Sequence, residues 1–229
     1  VESRLKELSC LVVSDYAKGV VTASLMTELT RLAGQRKIPI VVDPKVEHFS
    51  YYKGVTVITP NHLEATQAAG VQGEDDKAIT KAGTILRQRL GCQTVLVTRG
   101  ERGMSVYQAH GDHWHIPTRA RQVYDVTGAG DTVVGTLALA LSTGASMRDA
   151  AVLANQAAGV VVGMIGTATV TAAQLTDALG QNRRETLGDG GDSSPVRLFT
   201  IPGQTAGRVA GPTDDPTCLR AGTGLSHGR

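Results

Sequence analysis

Two carboxylates bracket a turn of small residues in Asp125-Val-Thr-Gly-Ala-Gly-Asp131, and the apolar stretch that follows has the spacing of a helix. Gly128, Ala129 and Gly130 let an anion come close to backbone N–H groups, and a helix start adds unpaired donors and the positive end of its dipole. An acid beside a bound phosphate repels it, so Asp131 at that place points to a base, a metal partner or both. The same residues also describe an Asp that does no more than cap a helix.

Polar clusters elsewhere follow short β-branched runs. Cys10 to Ser14 leads into Asp15-Tyr-Ala-Lys18-Gly19, Ile38 to Asp43 into Pro44-Lys45, Val55 to Thr59 into Pro60-Asn61-His-Leu-Glu64, and Thr94 to Thr98 into Arg99-Gly100. Runs of this kind read as strands buried on both faces. Helical spacing over Thr22 to Gly34, Asn61 to Gly70 and Asp75 to Leu90 supplies the crossovers of βαβ units. In a parallel sheet all four loops open on one crevice at the carboxyl ends of the strands. Lysines, an arginine and several acids would meet the Gly-Ala-Gly turn there, a mixture suited to phosphate and a metal. Taken singly, Asp15 and Asp43 also read as turn residues, Asn61 and Glu64 as an N-cap and a first-turn acid, and Lys45 as a solvated charge.

The remaining elements follow from the same spacing. Met104 to Gln108 and His113 to Ile116 form an antiparallel hairpin at one edge, and helices are expected over 129–142, 147–163 and 171–179. Ala151 to Met164 reads as a buried helix, too short to cross a bilayer. Residues 1–180 thus form one α/β unit. Residues 181–229, rich in Gly, Pro, Asp, Thr and Arg, are expected to be a disordered tail or a linker, with only Val196 to Ile201 apolar.

Composition narrows the function. The chain has 229 residues, 41% hydrophobic, and a net charge of +2 with no basic stripe, which argues against a nucleic-acid partner; a membrane partner is not expected either. Three cysteines without a C-x-x-C pair suggest neither zinc nor a disulfide framework and fit a reducing cytoplasm. His113 and His115 alternate on the hairpin and read as surface residues.

Asp125-Val-Thr-Gly-Ala-Gly-Asp131-Thr resembles the C-terminal signature of the ribokinase-like carbohydrate kinases. Ser14-Asp-Tyr-Ala-Lys-Gly19, Val42-Asp-Pro-Lys45, Thr59-Pro-Asn61 with Glu64, and the Ala154 to Gly163 and Gly166 to Thr169 stretches resemble more narrowly the bacterial D-glycero-β-D-manno-heptose 7-phosphate kinase domain. The resemblance covers about residues 8 to 180 and implies a three-layer αβα sandwich with a mostly parallel sheet. It implies ATP-dependent phosphorylation of the heptose 7-phosphate to the 1,7-bisphosphate, for ADP-heptose and the lipopolysaccharide core. Asp131 would be the general base and Gly128, Ala129 and Gly130 the anion hole. Asn61 and Glu64 would organise Mg²⁺, Glu64 through water; Thr98 and Gly100 would line the nucleotide phosphates and Asn155 would lie beside the adenine. Lys45 offers a cation to a phosphate of either ATP or the sugar.

The resemblance also sets expectations about what is missing. The family's N-terminal strands, β lid and Gly-Gly sugar motif are not in this sequence, nor is a His-x-x-His nucleotidyl motif after residue 180. The chain alone is therefore expected to be nearly inactive. The partners expected are ATP and a sugar phosphate, with a homodimer as the form of self-association. Another sugar kinase of the family, such as a fructokinase or ribokinase, and a non-catalytic nucleotide-binding module remain as alternatives.

Overall fold

The structure, a computed structural model, describes residues 4–118 and 123–187. Strands β1 (Leu11–Ser14), β2 (Ile40–Asp43), β3 (Val57–Ile58) and β4 (Thr94–Thr98) are parallel, and β5 (Met104–Gln108) and β6 (His113–Ile116) complete the sheet as an antiparallel hairpin. Spatial order equals chain order, β1 to β6. Helices α1 (Ala23–Arg36), α2 (His62–Ala69) and α3 (Asp76–Leu90) precede the hairpin; α4 (Ala129–Ser142), α5 (Met147–Val161) and α6 (Ala172–Leu187) follow it.

Alternation along the strands builds two cores, as the continuous apolar runs require. Val42, Ile58, Val95 and Val97 pack with Met26, Ile79 and Leu86 of α1 and α3. Their neighbours Val41, Val57 and Leu96 pack on the other face with Val133, Leu137 and Ala154 of α4 and α5. That is the expected three-layer α/β architecture.

The differences from expectation lie at element ends. β2 and β3 are joined by a six-residue 3-10 turn, Val46–Tyr51, where the sequence suggested no element. Helix α6 continues to Leu187, past the expected end of the unit at 180. A Thr171/Gln174 capping box starts it, and the helix-favouring run Arg183-Arg184-Glu185 outweighs the cost of about 1 kcal/mol for Gly180. The rest of the expected tail, residues 188–229 with Cys218 and Val196 to Ile201, lies outside the described residues. No helix among the described residues is long and apolar enough to cross a membrane.

Candidate active site

The strand register sets the crevice. Ser14 stands opposite Asp43, the Asp15 N–H donates to Asp43 O at 3.0 Å, and Thr98 N–H donates to Pro60 O at 2.9 Å. The polar ends of β1 to β4 therefore lie side by side, as the sequence indicated. Helix α4 packs across β1 and β2, so its first turn stands over the same edge.

That first turn differs from the other helix starts. Thr22, Asn61, Asp75 and Ser146 each cap a helix with a side-chain oxygen, whereas α4 starts at Gly128 with no side-chain cap. Gly128 has φ +77°, a conformation that glycine adopts without strain. Among the described residues the N–H groups of Gly130 and Asp131 have no hydrogen-bond partner. These donors and the helix dipole suit an anion. Asp131 is the exposed acid of this turn, not its cap.

Asp125 fixes the approach to the turn. Its Oδ1 accepts the Thr127 N–H at 2.9 Å and its Oδ2 the Gly166 N–H at 3.1 Å. Those donors hold its carboxyl below the usual carboxylate range. Tyr124 N–H donates to Val162 O at 2.8 Å, a second tie to the end of α5.

Asn61 and Glu64 form a reciprocal capping box on α2. Glu64 N–H donates to Asn61 Oδ1 at 2.9 Å, and Asn61 N–H donates to Glu64 Oε2 at 3.0 Å. The plain reading of the pair is therefore realised, and it leaves Glu64 Oε1 3.7 Å from Lys45 Nζ, within the crevice.

Asp43, absent from the sequence-derived role assignments, stands at the electrostatic centre. Burial pushes its carboxyl up to about 6, and Glu64, Asp131 and Asp15 add to the effect while Lys45 opposes it. A cation would relieve that mutual repulsion. Asp43 and Glu64 offer the hard oxygens that a divalent ion prefers. Among the described residues no group of three or more His, Cys, Asp or Glu is placed to hold a metal ion.

Thr98 is half-buried at the end of β4 and Gly100 is exposed with φ +59° in the next turn. Between them Arg99 points away to the α3 face, where its guanidinium binds Asp76 and donates to Ser105 Oγ at 3.2 Å. A cavity of about 450 Å³ lies on that face, lined by Arg99, Arg102, Tyr107 and His115 among others, and Asp131, Glu64 and Asp43 take no part in it. Asn155 is 5% exposed and donates Nδ2 to Pro117 O at 2.9 Å. It thus supports the exit of β6 from below and does not present its amide to open space. Burial pushes the thiols of Cys10 and Cys92 up to about 11, which favours the protonated, less nucleophilic form.

The three-layer α/β fold, with an open helix start over the ends of parallel strands, is of the ribokinase-like kind. The pfkB family of carbohydrate kinases matches residues 1–174, and the chain belongs to that family. It is 44% identical over 200 residues to the bifunctional protein HldE of Geobacter sulfurreducens, covering 87% of this chain and 40% of that protein. The HldE of Rhodospirillum rubrum is 46% identical over 182 residues, covering 79% and 36%. The chain thus spans well under half of these relatives. In fold it is similar to Arabidopsis thaliana ribokinase complexed with ribose and ATP, with a TM-score of 0.66 and 20% identity over 78% of this chain and 58% of that one. It is also similar to Escherichia coli phosphofructokinase-2 in complex with potassium, with a TM-score of 0.69, 20% identity, and 80% and 61% covered.

Proposed function

We propose that this chain carries the phosphoryl-transfer half of an ATP-dependent kinase for D-glycero-β-D-manno-heptose 7-phosphate, yielding the 1,7-bisphosphate for ADP-heptose and lipopolysaccharide core synthesis. The observation that carries the reading is the uncapped start of α4, with Asp131 over the strand ends beside Asp43 and the Lys45–Glu64 pair. The likeness to the HldE proteins at 44% and 46% identity supports it.

In this reading the sugar hydroxyl gives its proton to Asp131 as its oxygen attacks the γ-phosphorus, and the bond to ADP breaks. The free N–H groups at Gly130 and Asp131 receive the charge on the transferring oxygens. Lys45 supplies a cation to the phosphate chain, and Thr98 and Gly100 flank it at β4. Mg²⁺, held by Glu64 and Asp43 through water with Asn61 fixing Glu64 in place, would neutralise the triphosphate. Asn155 acts on the nucleotide pocket by holding Pro117. A cytoplasmic location and a homodimer belong to the same proposal; sedimentation checks the latter.

The deciding test is Asp131→Asn, assayed by ADP release with the heptose phosphate and by calorimetry with ATP. Turnover is expected to fall by about 10²–10⁴-fold while ATP binding is retained. Unchanged residual turnover refutes the base assignment, and ATP binding with no sugar-dependent turnover even when the N-terminal part of an HldE relative is supplied favours a nucleotide-binding module.

A further inference from the structure

Asp15 is a buried carboxylate that the transfer step does not use. It is 1% exposed, and its Oδ2 accepts from Tyr52 OH at 2.6 Å and from His48 Nδ1 at 2.7 Å, while its Oδ1 accepts the Ala17 N–H at 2.8 Å. Burial opposes its ionisation, but these three donors outweigh burial and hold its carboxyl below the ordinary range. Tyr52 OH in turn accepts the Lys45 N–H at 3.1 Å. One carboxylate therefore joins the loop after β1 to the turn after β2.

The loop after β1 is held in an unusual shape. Ala17 has φ +52° and Gly19 φ +86°, so the segment folds back on itself and leaves Tyr16 and Lys18 exposed at the crevice edge. A left-handed alanine costs about 1 kcal/mol or more, which the Asp15 bond offsets. Lys18 has no ion-pair partner among the described residues, whereas Lys45 lies 3.7 Å from the Glu64 carboxylate. The two lysines are thus electrostatically different.

Position separates them further. Thr98 and Gly100 stand at β4, and the loop carrying Lys18 stands at β1, three strand spacings or about 14 Å away. Asp131 lies between, because α4 packs over β1 and β2. A phosphate chain that runs in from β4 to the α4 turn leaves the β1 side for the acceptor in an in-line transfer.

We propose that Lys18 binds the acceptor's own phosphate, the one not formed in the reaction, and that Asp15 is the positioning residue that holds its loop. This rests on the sugar-phosphate kinase reading and makes Lys18 a specificity determinant within it. Lys45 is then left to the nucleotide phosphates.

Calorimetry on the chain, with an unreactive ATP analogue present, tests this with heptose 7-phosphate, the dephosphorylated heptose and inorganic phosphate as probes. Lys18→Met is expected to weaken heptose 7-phosphate binding about tenfold or more and to leave the dephosphorylated heptose and the ATP analogue unchanged. Asp15→Asn is expected to weaken the same ligand, and in a Lys18→Met background to add no further loss. Additive losses, or a lowered melting temperature with unchanged affinity at 15 °C, would show a purely structural Asp15 and overturn its assignment. Heptose 7-phosphate bound equally by the unaltered chain and Lys18→Met overturns the Lys18 assignment alone. No binding by the unaltered chain, even when the N-terminal part of an HldE relative is supplied, overturns both it and the substrate reading on which it rests.

Discussion

Gly166 N–H donates to Asp125 Oδ2 at 3.1 Å and so ties the loop after α5 to the approach of α4. The other oxygen of Asp125 takes the Thr127 N–H, directly before the open turn. The carboxylate thereby sets the direction in which the α4 N–H groups point. Asp125→Asn removes one acceptor, and Asp125→Ala removes both. ATP-analogue affinity is expected to fall by about fivefold for the first and more for the second, on the scale of one or two lost hydrogen bonds. Because the Asp125 carboxyl is held low, its contribution is present above the unfolded pKa and is lost as pH falls through the lowered folded value. Melting curves of the three proteins at pH 7 and at pH below the ordinary carboxylate range check the pH dependence, and affinities at pH 7 check the loss of binding.

Asp43 has the opposite sign. Its folded carboxyl is raised to about 6, so the fold prefers it protonated, and stability falls as pH climbs from the unfolded value near 4 to about 6. After allowance for solvent screening of this half-exposed group, the ionised form costs about 1–2 kcal/mol. Asp43→Asn should therefore raise the melting temperature at pH 7.5 and change little at pH 4. The same variant should weaken Mg²⁺-dependent ATP binding, since a cation gains most from this carboxylate when it is ionised. Melting curves at both pH values, with titrations in Mg²⁺ and in chelator, separate the two effects.

Much of this arrangement was legible in the sequence because local chemistry fixes it. The runs at Ile40 to Asp43 and Thr94 to Thr98 are buried on both faces and could only be interior strands, and Asn61 and Glu64 have the spacing of a capping box. The small-residue turn at Gly128 to Asp131 was visible too, but not whether Asp131 caps it, nor that the Ala129 N–H, expected in the anion hole, donates to Val126 O at 3.2 Å. What escaped depends on contacts between distant residues. Asp15 meets His48 and Tyr52 only because β1 and β2 pair in one register, and nothing in the Asp15 segment announces the donors. The centrality of Asp43 is likewise a sum over three acids on three other segments, Glu64, Asp131 and Asp15. Burial of Asn155 depends on where β6 ends, which the helical spacing of its own segment does not encode.

Close packing at two glycines gives a stability prediction independent of function. A Cβ at Gly83 of α3 would overlap the Tyr107 ring of β5, and one at Gly103 would overlap the backbone at Ile116 to Thr118. The Tyr107 ring is buried in the core and is overlapped as far as its Cγ, so Gly83→Ala should cost about 3 kcal/mol. Gly103 also has φ +80° and faces backbone, so Gly103→Ala should cost more and lower the yield of folded protein. Denaturant titration of both variants gives the order.

Two roles are open to Asn155 at the end of the crevice proposed to take the nucleotide. With 5% of its surface exposed and Nδ2 bonded to Pro117 O, it secures the backbone from which the chain leaves β6. Removing the amide leaves that carbonyl without its donor in a buried place, at a cost of about 1–3 kcal/mol. Asn155→Ala should therefore lower stability by that amount, and Asn155→Leu, which also must fit a branched chain beside Ala154, by at least as much. A residue that reads the base directly would instead change the preference between ATP and GTP with little change in stability. The structure places Asn155 in the first case: melting temperature should fall, affinity for ATP and GTP should fall together, and their ratio should stay constant. A changed ratio at unchanged stability would move Asn155 out of the wall and into contact with the base.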